Sequence, residues 1–303
     1  MVDNGSTDGS CEYVRERYST VKVLPLGRNL GFAEAYNRAV ATINEDAVVF
    51  LNNDVEVDSG WLAELKSGLQ RLQHAGRVGA CGSKILFYHD RGLINHAGGK
   101  FLPIGGGMDL EFMRRDDPRK PAWLFAGCVS GASMIMPRLL FLKLGGFDPD
   151  FFAYFEDVDL CWRAWLSGCY VLLTASSRVY HKLGATTGAF LKPERLYLDE
   201  RNRLQSMLKN LQRRNLIVGL LVSALYNLTR FMGFLRSRKP EAVVAILSGD
   251  MWVLAHLPRV IAKRSRVQQA RQVSDGFLIR HGLMASLTEG VREFGRLAIL
   301  RSP

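Results

Sequence analysis

Three carboxylates fall within four positions in the stretch Tyr154-Phe155-Glu156-Asp157-Val158-Asp159-Leu160-Cys161-Trp162-Arg163, at the start of an amphipathic helical pattern. Acidic side chains are favoured at a helix N-terminus by the macrodipole, and Asp159 can pair with Arg163 one turn further on. Those effects account for Asp159. They leave Glu156 and Asp157 beside the aromatic side chains Tyr154 and Phe155, where desolvation and like charge tune a proton acceptor. A second acidic turn, Asn52-Asn53-Asp54, follows the apolar run Val48-Val49-Phe50-Leu51, so Asp54 stands where a buried strand gives way to a loop. A hard divalent cation needs only one or two protein carboxylates when substrate phosphates complete its shell. The competing reading is a cap for the helix near Trp61, for which Asp58 and Ser59 are better placed. One cluster that holds a metal and another that removes a proton are the two groups needed to break a sugar–phosphate bond.

Two weaker signals accompany these. His181 ends a strand pattern. A lone histidine is more often structural, but a strand returning beside Asp54 would let the imidazole join a metal shell or touch a phosphate. Gly27-Arg28-Asn29-Leu30-Gly31 opens a helix, and a glycine turn there can approach an anion with Arg28 as its counter-charge. The glycines at 105–107 lack the strand before and the helix after that a dinucleotide fingerprint requires.

The elements that must position these residues follow a strand–helix rhythm. Ser10 is placed to cap a helix reaching about Tyr18, Val21 to Leu24 reads as a strand, and Phe32, Tyr36, Val40 and Ile43 recur at helical spacing. Ala47 to Leu51 is a buried strand. Trp61, Leu62, Leu65, Leu69 and Leu72 mark a helix, and Val78 to Ser83 the next strand. Such alternation predicts an open α/β sheet with helices on both faces and ligands beyond the carboxyl ends of the strands. Residues 95–121 read as a long loop or small hairpin, 157–167 as a helix, and Tyr170–Leu173 and Val179–His181 as two strands. From about Arg195 the pattern is helical to the end.

A chain of 303 residues with 48% hydrophobic content can bury a large core, which excludes a disordered protein. Five cysteines with no C-x-x-C spacing argue against a disulfide framework or zinc site, and no leader pattern follows Met1, so the expected setting is the cytosol. The charge is uneven. Residues 200–303 carry 18 Lys/Arg against six Asp/Glu, whereas the first 199 residues are nearly balanced. Apolar faces interleaved with Arg230, Arg236, Arg238, Lys239, Arg259, Lys263, Arg264 and Arg266 suit helices lying on an anionic membrane surface. Nucleic-acid binding ranks last because no recognised module is present. The apolar runs Leu216–Tyr226 and Ala242–Pro258 read as too short or too interrupted to span a bilayer.

Taken together, Val2-Asp3-Asn4-Gly5-Ser6-Thr7-Asp8-Gly9-Ser10, Asn29-Leu30-Gly31-Phe32-Ala33 with Asn37, Phe50-Leu51-Asn52-Asn53-Asp54 and Phe155-Glu156-Asp157-Val158-Asp159-Leu160-Cys161-Trp162-Arg163 closely resemble family 2 glycosyltransferases of the rhamnosyltransferase-like branch. The resemblance covers about residues 1–210. It implies a GT-A fold, an α/β Rossmann-like mixed sheet with helices on both faces, followed by a basic, amphipathic helical extension over 211–303. It further implies inverting transfer of a sugar, rhamnose or a related hexose, from a nucleoside diphosphate donor to a hydroxyl of a glycan or lipid-linked acceptor. On that pattern Asp3 contacts the nucleotide base, while Asn29 and Gly31 shape the nucleotide pocket. Asn52-Asn53-Asp54 occupies the D-x-D position with Asp54 on Mg2+ or Mn2+. Asp157 is the base, Glu156 its neighbour, and His181 reaches the metal or diphosphate. The family pattern also carries a strand and helix ahead of the Asp-Asn-Gly-Ser turn, so a shortened catalytic domain is expected here. The expected location is the inner face of the cell membrane, with peripheral attachment. The alternative is a membrane-associated or scaffold protein that has lost catalysis.

Overall fold

The computed structural model describes residues 1–182, 192–286 and 288–290. The sequence expectation of a helical pattern continuing to the chain end therefore falls, beyond residue 290, outside the described residues. In chain order the elements are β1 (Val2–Asp3), α1 (Ser10–Arg17), β2 (Leu24–Pro25), α2 (Gly31–Ala41), β3 (Ala47–Leu51), β4 (Val55–Val57), α3 (Trp61–His74), β5 (Gly79–Phe87), β6 (Ile94–His96), β7 (Gly99–Phe101) and β8 (Gly107–Asp109). There follow β9 (Trp123–Phe125), β10 (Ser133–Pro137), α4 (Arg138–Lys143), a 3-10 turn (Pro149–Phe151), α5 (Glu156–Leu166), β11 (Tyr170–His181), α6 (Pro193–Asn210), α7 (Arg213–Arg236), α8 (Pro240–Ala255), α9 (Leu257–Gln269) and α10 (Asp275–Arg280).

The main sheet runs in the order β3-β10-β5-β11-β4, with β6 added beside β5 and β9 beside β11. It is mixed: β10 is antiparallel to β3 and β5, while β11 is parallel to β5. Alternation along the strands gives it two apolar faces. Cys81, Ile135 and Leu172 pack under Leu65, Leu69 and Leu72 of α3. On the other face Phe50, Met134 and Leu173 join a larger core with Val40, Phe141, Leu160 and Trp162. Trp162 stacks on Phe101 with centroids 4.6 Å apart.

Several expectations from the sequence change in register. Ser10 is the first residue of α1 rather than its cap; Gly9, in the left-handed region, precedes it, and the Ser10 hydroxyl bonds Asp8 at 2.6 Å. The strand expected at 21–24 shrinks to Leu24–Pro25, which pairs with β1 in a separate two-stranded parallel sheet. The two strands read at 170–173 and 179–181 are one 12-residue strand, because a register shift between Thr174 and Arg178 absorbs the polar break that hid its continuity. Within 95–121 the hairpin reading holds, as β7 and β8 pair antiparallel.

The C-terminal region departs further. Arg213–Arg236 is one continuous helix, long and apolar enough by length and composition to cross a membrane, where the sequence reading saw only an 11-residue run. Nor are all the basic residues offered to a surface. Arg230 donates to Glu200 at 2.8 Å, Lys263 binds Asp148 and Asp150, and Arg264 donates to the Leu211 carbonyl at 2.7 Å. Asp159 does pair with Arg163, at 2.8 Å, but the pair is buried and needs a second cation. Lys209, also buried, reaches Asp159 at 2.9 Å and Asp148 at 2.6 Å. Removing that ammonium leaves two buried carboxylates under-compensated, so Lys209→Met is expected to cost about 3 kcal/mol, read as a lowered melting temperature.

Candidate active site

Two turns from the N-terminal region are laced together by asparagines. Asn4 Oδ1 accepts from the Leu30 amide at 2.8 Å, and Asn4 Nδ2 donates to Asn29 Oδ1 at 3.0 Å. Asn29 Oδ1 also accepts from the Gly31 amide at 2.9 Å. Asp3 lies at the end of β1, accepting from the Ser6 amide at 2.9 Å. The Ser6 hydroxyl and amide, with the Cys11 thiol, hold its carboxyl below the usual range. Asn29 is thus a latch between turns, and Asn4, not singled out from the sequence, is its partner.

Gly31 begins α2 at φ +80°, and a Cβ there would lie 2.5 Å from the Phe152 carbonyl oxygen. That oxygen accepts from the Phe32 amide at 2.6 Å, capping α2 with the loop that leads into α5. The loop is strained: Phe152, Tyr154 and Phe155 all have positive φ, between 62° and 71°, a conformation that bulky L-residues rarely adopt and that clusters at functional sites. It is held from below by Asn202 of α6, whose Nδ2 sits 2.8 to 2.9 Å from the carbonyls of Phe151, Ala153 and Tyr154. Arg195 covers the Tyr154 ring at 3.9 Å.

Glu156 and Asp157 open α5 directly after this loop, and the structure separates them. Glu156 is buried, and its Oε2 has no hydrogen-bond partner. Burial, with Asp157 adding like charge, raises its carboxyl well above the ordinary 4.5. Asp157 is half-buried and accepts from the Gly131 amide and from its neighbour Val158, each at 2.8 Å. Desolvation raises its carboxyl as well, with those amides working against the shift. Nearby, the ring of buried His96 holds Asp109 at 2.7 Å, and Asp109 adds like charge to the Asp157 carboxyl. No motif or spacing marks His96, which falls in a stretch without clear period. A cavity of about 470 Å³ opens beside this pair, lined by Lys84, Met108, Asp109, Arg114 and Leu173 among others.

Asp54 reaches the same edge of the sheet. The Asn52 amide donates to the Ala132 carbonyl at 3.1 Å, one residue from the Gly131 amide that binds Asp157. Tyr36 lies between, donating to the Leu51 carbonyl at 2.9 Å; its phenol is pushed up to about 12 by burial and feels the charges of both Glu156 and Asp54. Because β4 pairs antiparallel with β11, His181 is brought opposite Val55, and its Nε2 lies 3.1 Å from Asp54 Oδ1. Asn52 is half-buried and Asn53 exposed on the same turn. Asp54 and His181 hold each other in that contact, and a magnesium or manganese ion bound here would take the Asp54 oxygen as its protein ligand and draw the others chiefly from diphosphate oxygens and water. Among the described residues no group of three or more His, Cys, Asp or Glu converges as a self-sufficient metal cage.

The glycines at 105–107 have a packing role. Gly106 lies against the Phe155 ring and Gly105 against the Arg203 carbonyl, so tightly that a Cβ on either would clash.

The family described as Glycosyl transferase family 2 matches residues 1–140. The chain is 30% identical over 218 residues to an N-acetylglucosaminyl-diphospho-decaprenol L-rhamnosyltransferase of Mycobacterium tuberculosis, covering 62% of this chain and 67% of that protein. It is 31% identical over 211 residues to the O-antigen biosynthesis protein RfbC of Myxococcus xanthus, covering 65% of this chain but 16% of the relative. The solved structure of GalNAc-T7 with UDP, GalNAc and Mn2+ superposes with a TM-score of 0.53 at 18% identity, over 69% of this chain and 41% of that one. At that identity the likeness speaks for the fold.

The buried Glu156 carboxyl yields a prediction by linkage. An acid whose folded-state value is raised keeps its proton where the unfolded chain has lost it, so native stability falls as pH rises above 4.5. Glu156→Gln removes that slope, and its melting temperature relative to the unmodified protein is expected to be higher near about pH 8 than near about pH 5, as thermal melts at the two values would register.

Proposed function

Because this chain belongs to the family 2 glycosyltransferases and has the GT-A fold, we propose that it moves a hexose, rhamnose or a close relative, from a nucleoside diphosphate donor to a hydroxyl of a glycan or lipid-linked acceptor, with inversion. The observation that carries the reading is the short path Asp157–Gly131–Ala132–Asn52, which brings the two acidic turns to one sheet edge. The rhamnosyltransferase relative, whose name gives a decaprenol-linked substrate, supports the substrate classes.

Asp157 takes the proton of the acceptor hydroxyl as that oxygen attacks the anomeric carbon on the face opposite the departing diphosphate. Its two amide partners hold the carboxylate in one orientation, and burial makes it a stronger base than an exposed aspartate. Glu156, behind it, is buried, and that burial favours its protonated form. Asn4, Asn29 and Gly31 set the turns on the nucleotide side, where Asp3 accepts from the base. Asp54, held by His181, would take Mg2+ or Mn2+, which when bound offsets the charge developing on the diphosphate.

Asp157→Asn keeps the shape and removes the base. It is expected to lower kcat by about a hundredfold or more with KM for the donor little changed. The assay uses purified protein, rhamnosyl and other nucleotide-sugar donors, and a lipid-linked N-acetylglucosaminyl diphosphate acceptor; NMR of the product reads the anomeric configuration. Transfer by Asp157→Asn at the unmodified rate would falsify the base assignment, and a retained anomeric configuration would remove the single-displacement mechanism. No transfer by the unmodified protein to any acceptor, while its fold is intact, would favour the scaffold alternative.

A further inference from the structure

Helix α7 is built inside out. Its inward stripe carries Gly219, Ser223 and Asn227, all buried, with Arg230 next in line. Ser223 Oγ accepts from Arg203 Nη2 at 2.8 Å, while Asn227 and Arg230 donate to Glu200, each at 2.8 Å. Gly219 meets the Pro103 carbonyl so closely that a Cβ would sit 2.5 Å from it. The outward stripe is the apolar one. Ile217, Leu221, Leu225, Leu228, Met232 and Leu235 are each more than half exposed. On the following helix Val244, Met251 and Leu254 are exposed to the same degree. An exposed apolar stripe running the length of α7 marks an interaction site.

The occupant is indicated by the ends of the helix. Arg213 and Arg214 precede the apolar stripe and Arg236, Arg238 and Lys239 follow it, all exposed. A second copy of α7 laid on this face, parallel or antiparallel, would bring cationic end against cationic end. An anionic lipid surface satisfies both features, since acyl chains accept the leucines while the arginines reach the headgroups. A bilayer-spanning course is opposed by the inward stripe: Ser223 and Asn227, near the midpoint of the helix, are hydrogen-bonded to the buried charges of α6, and a spanning α7 would carry Glu200 and Arg203 to the centre of the hydrocarbon.

We infer that α7, continued by α8, lies in the plane of an anionic membrane as a monotopic anchor, apolar stripe down and polar stripe bound to the catalytic domain. The inference does not rest on the donor chemistry, and Asp157→Asn protein should bind vesicles as the unmodified protein does. The test uses the full chain with vesicles of phosphatidylcholine containing about three parts in ten of phosphatidylglycerol. Sedimentation is expected to recover the protein with the vesicles, and the double substitution Leu221→Asp with Leu225→Asp to lower the partition coefficient about tenfold or more. Both positions are exposed, so the melting temperature should hold. If it falls instead, depth measurements decide alone. A fluorophore on Leu221→Cys, Leu228→Cys or Leu235→Cys, against native cysteines that are buried or half-buried, should show one shallow depth at all three sites. These positions cover about 21 Å of helix axis at 1.5 Å per residue. A steep change of depth along them would overturn the in-plane course. So would absence of vesicle binding by the unmodified protein, or a dimer in solution that the double substitution dissolves.

Discussion

The structure depends on helix α6 having a polar face turned inward. Glu200, Arg201, Asn202, Arg203, Gln205, Ser206, Lys209 and Asn210 are all buried, an arrangement that is costly unless the groups find partners. Each main partner belongs to a different part of the molecule. Asn202 takes the strained loop before α5, Lys209 and Asn210 take the buried Asp159 within α5, and Glu200 and Arg203 take the inward stripe of α7. Acidic groups on α5 need cations, α6 supplies them, and the same helix then carries the C-terminal helices.

This makes the site and the extension one mechanical unit. The Asn202 amide compensates loop carbonyls that no regular element satisfies, which permits three aromatic residues to hold positive φ. With that loop fixed, the Phe152 carbonyl caps α2 at one end of it while Glu156 and Asp157 open α5 at the other. The start of α2 and the start of α5 are therefore referenced to the same four residues. A membrane-lying α7 would hold the start of α5 at a set height above the lipid, through the contacts of α6 to both helices.

The chemistry-bearing residues were legible because they are local. A strand followed by Asn52-Asn53-Asp54, a glycine turn before Phe32, and an acidic helix start after paired aromatics each declare themselves within about ten residues, where propensity and spacing act. The order of those signals also carried the α/β class, and the Asp159–Arg163 spacing carried the pair between them. Hidden features were of two kinds. The polar break Thr174–Arg178 split one long strand into two because a register shift leaves no periodic trace, and the inward polar face of α6 left no mark in the sequence because composition cannot tell a satisfied buried ion from a hydrated one.

The amino-acid sequence by itself determined which side chains are candidates for proton transfer and metal contact, and that the last third is both basic and apolar. The tertiary structure alone decided their use. It buried Glu156 and left Asp157 half-accessible, joined His181 to Asp54 across antiparallel strands, turned Arg230, Lys263 and Arg264 inward, and left the leucines of α7 outside. Burial and long-range pairing are properties of contacts between segments far apart in the chain, and desolvation, which sets both the acidity of a carboxyl and the direction a helix faces, exists only once those contacts form.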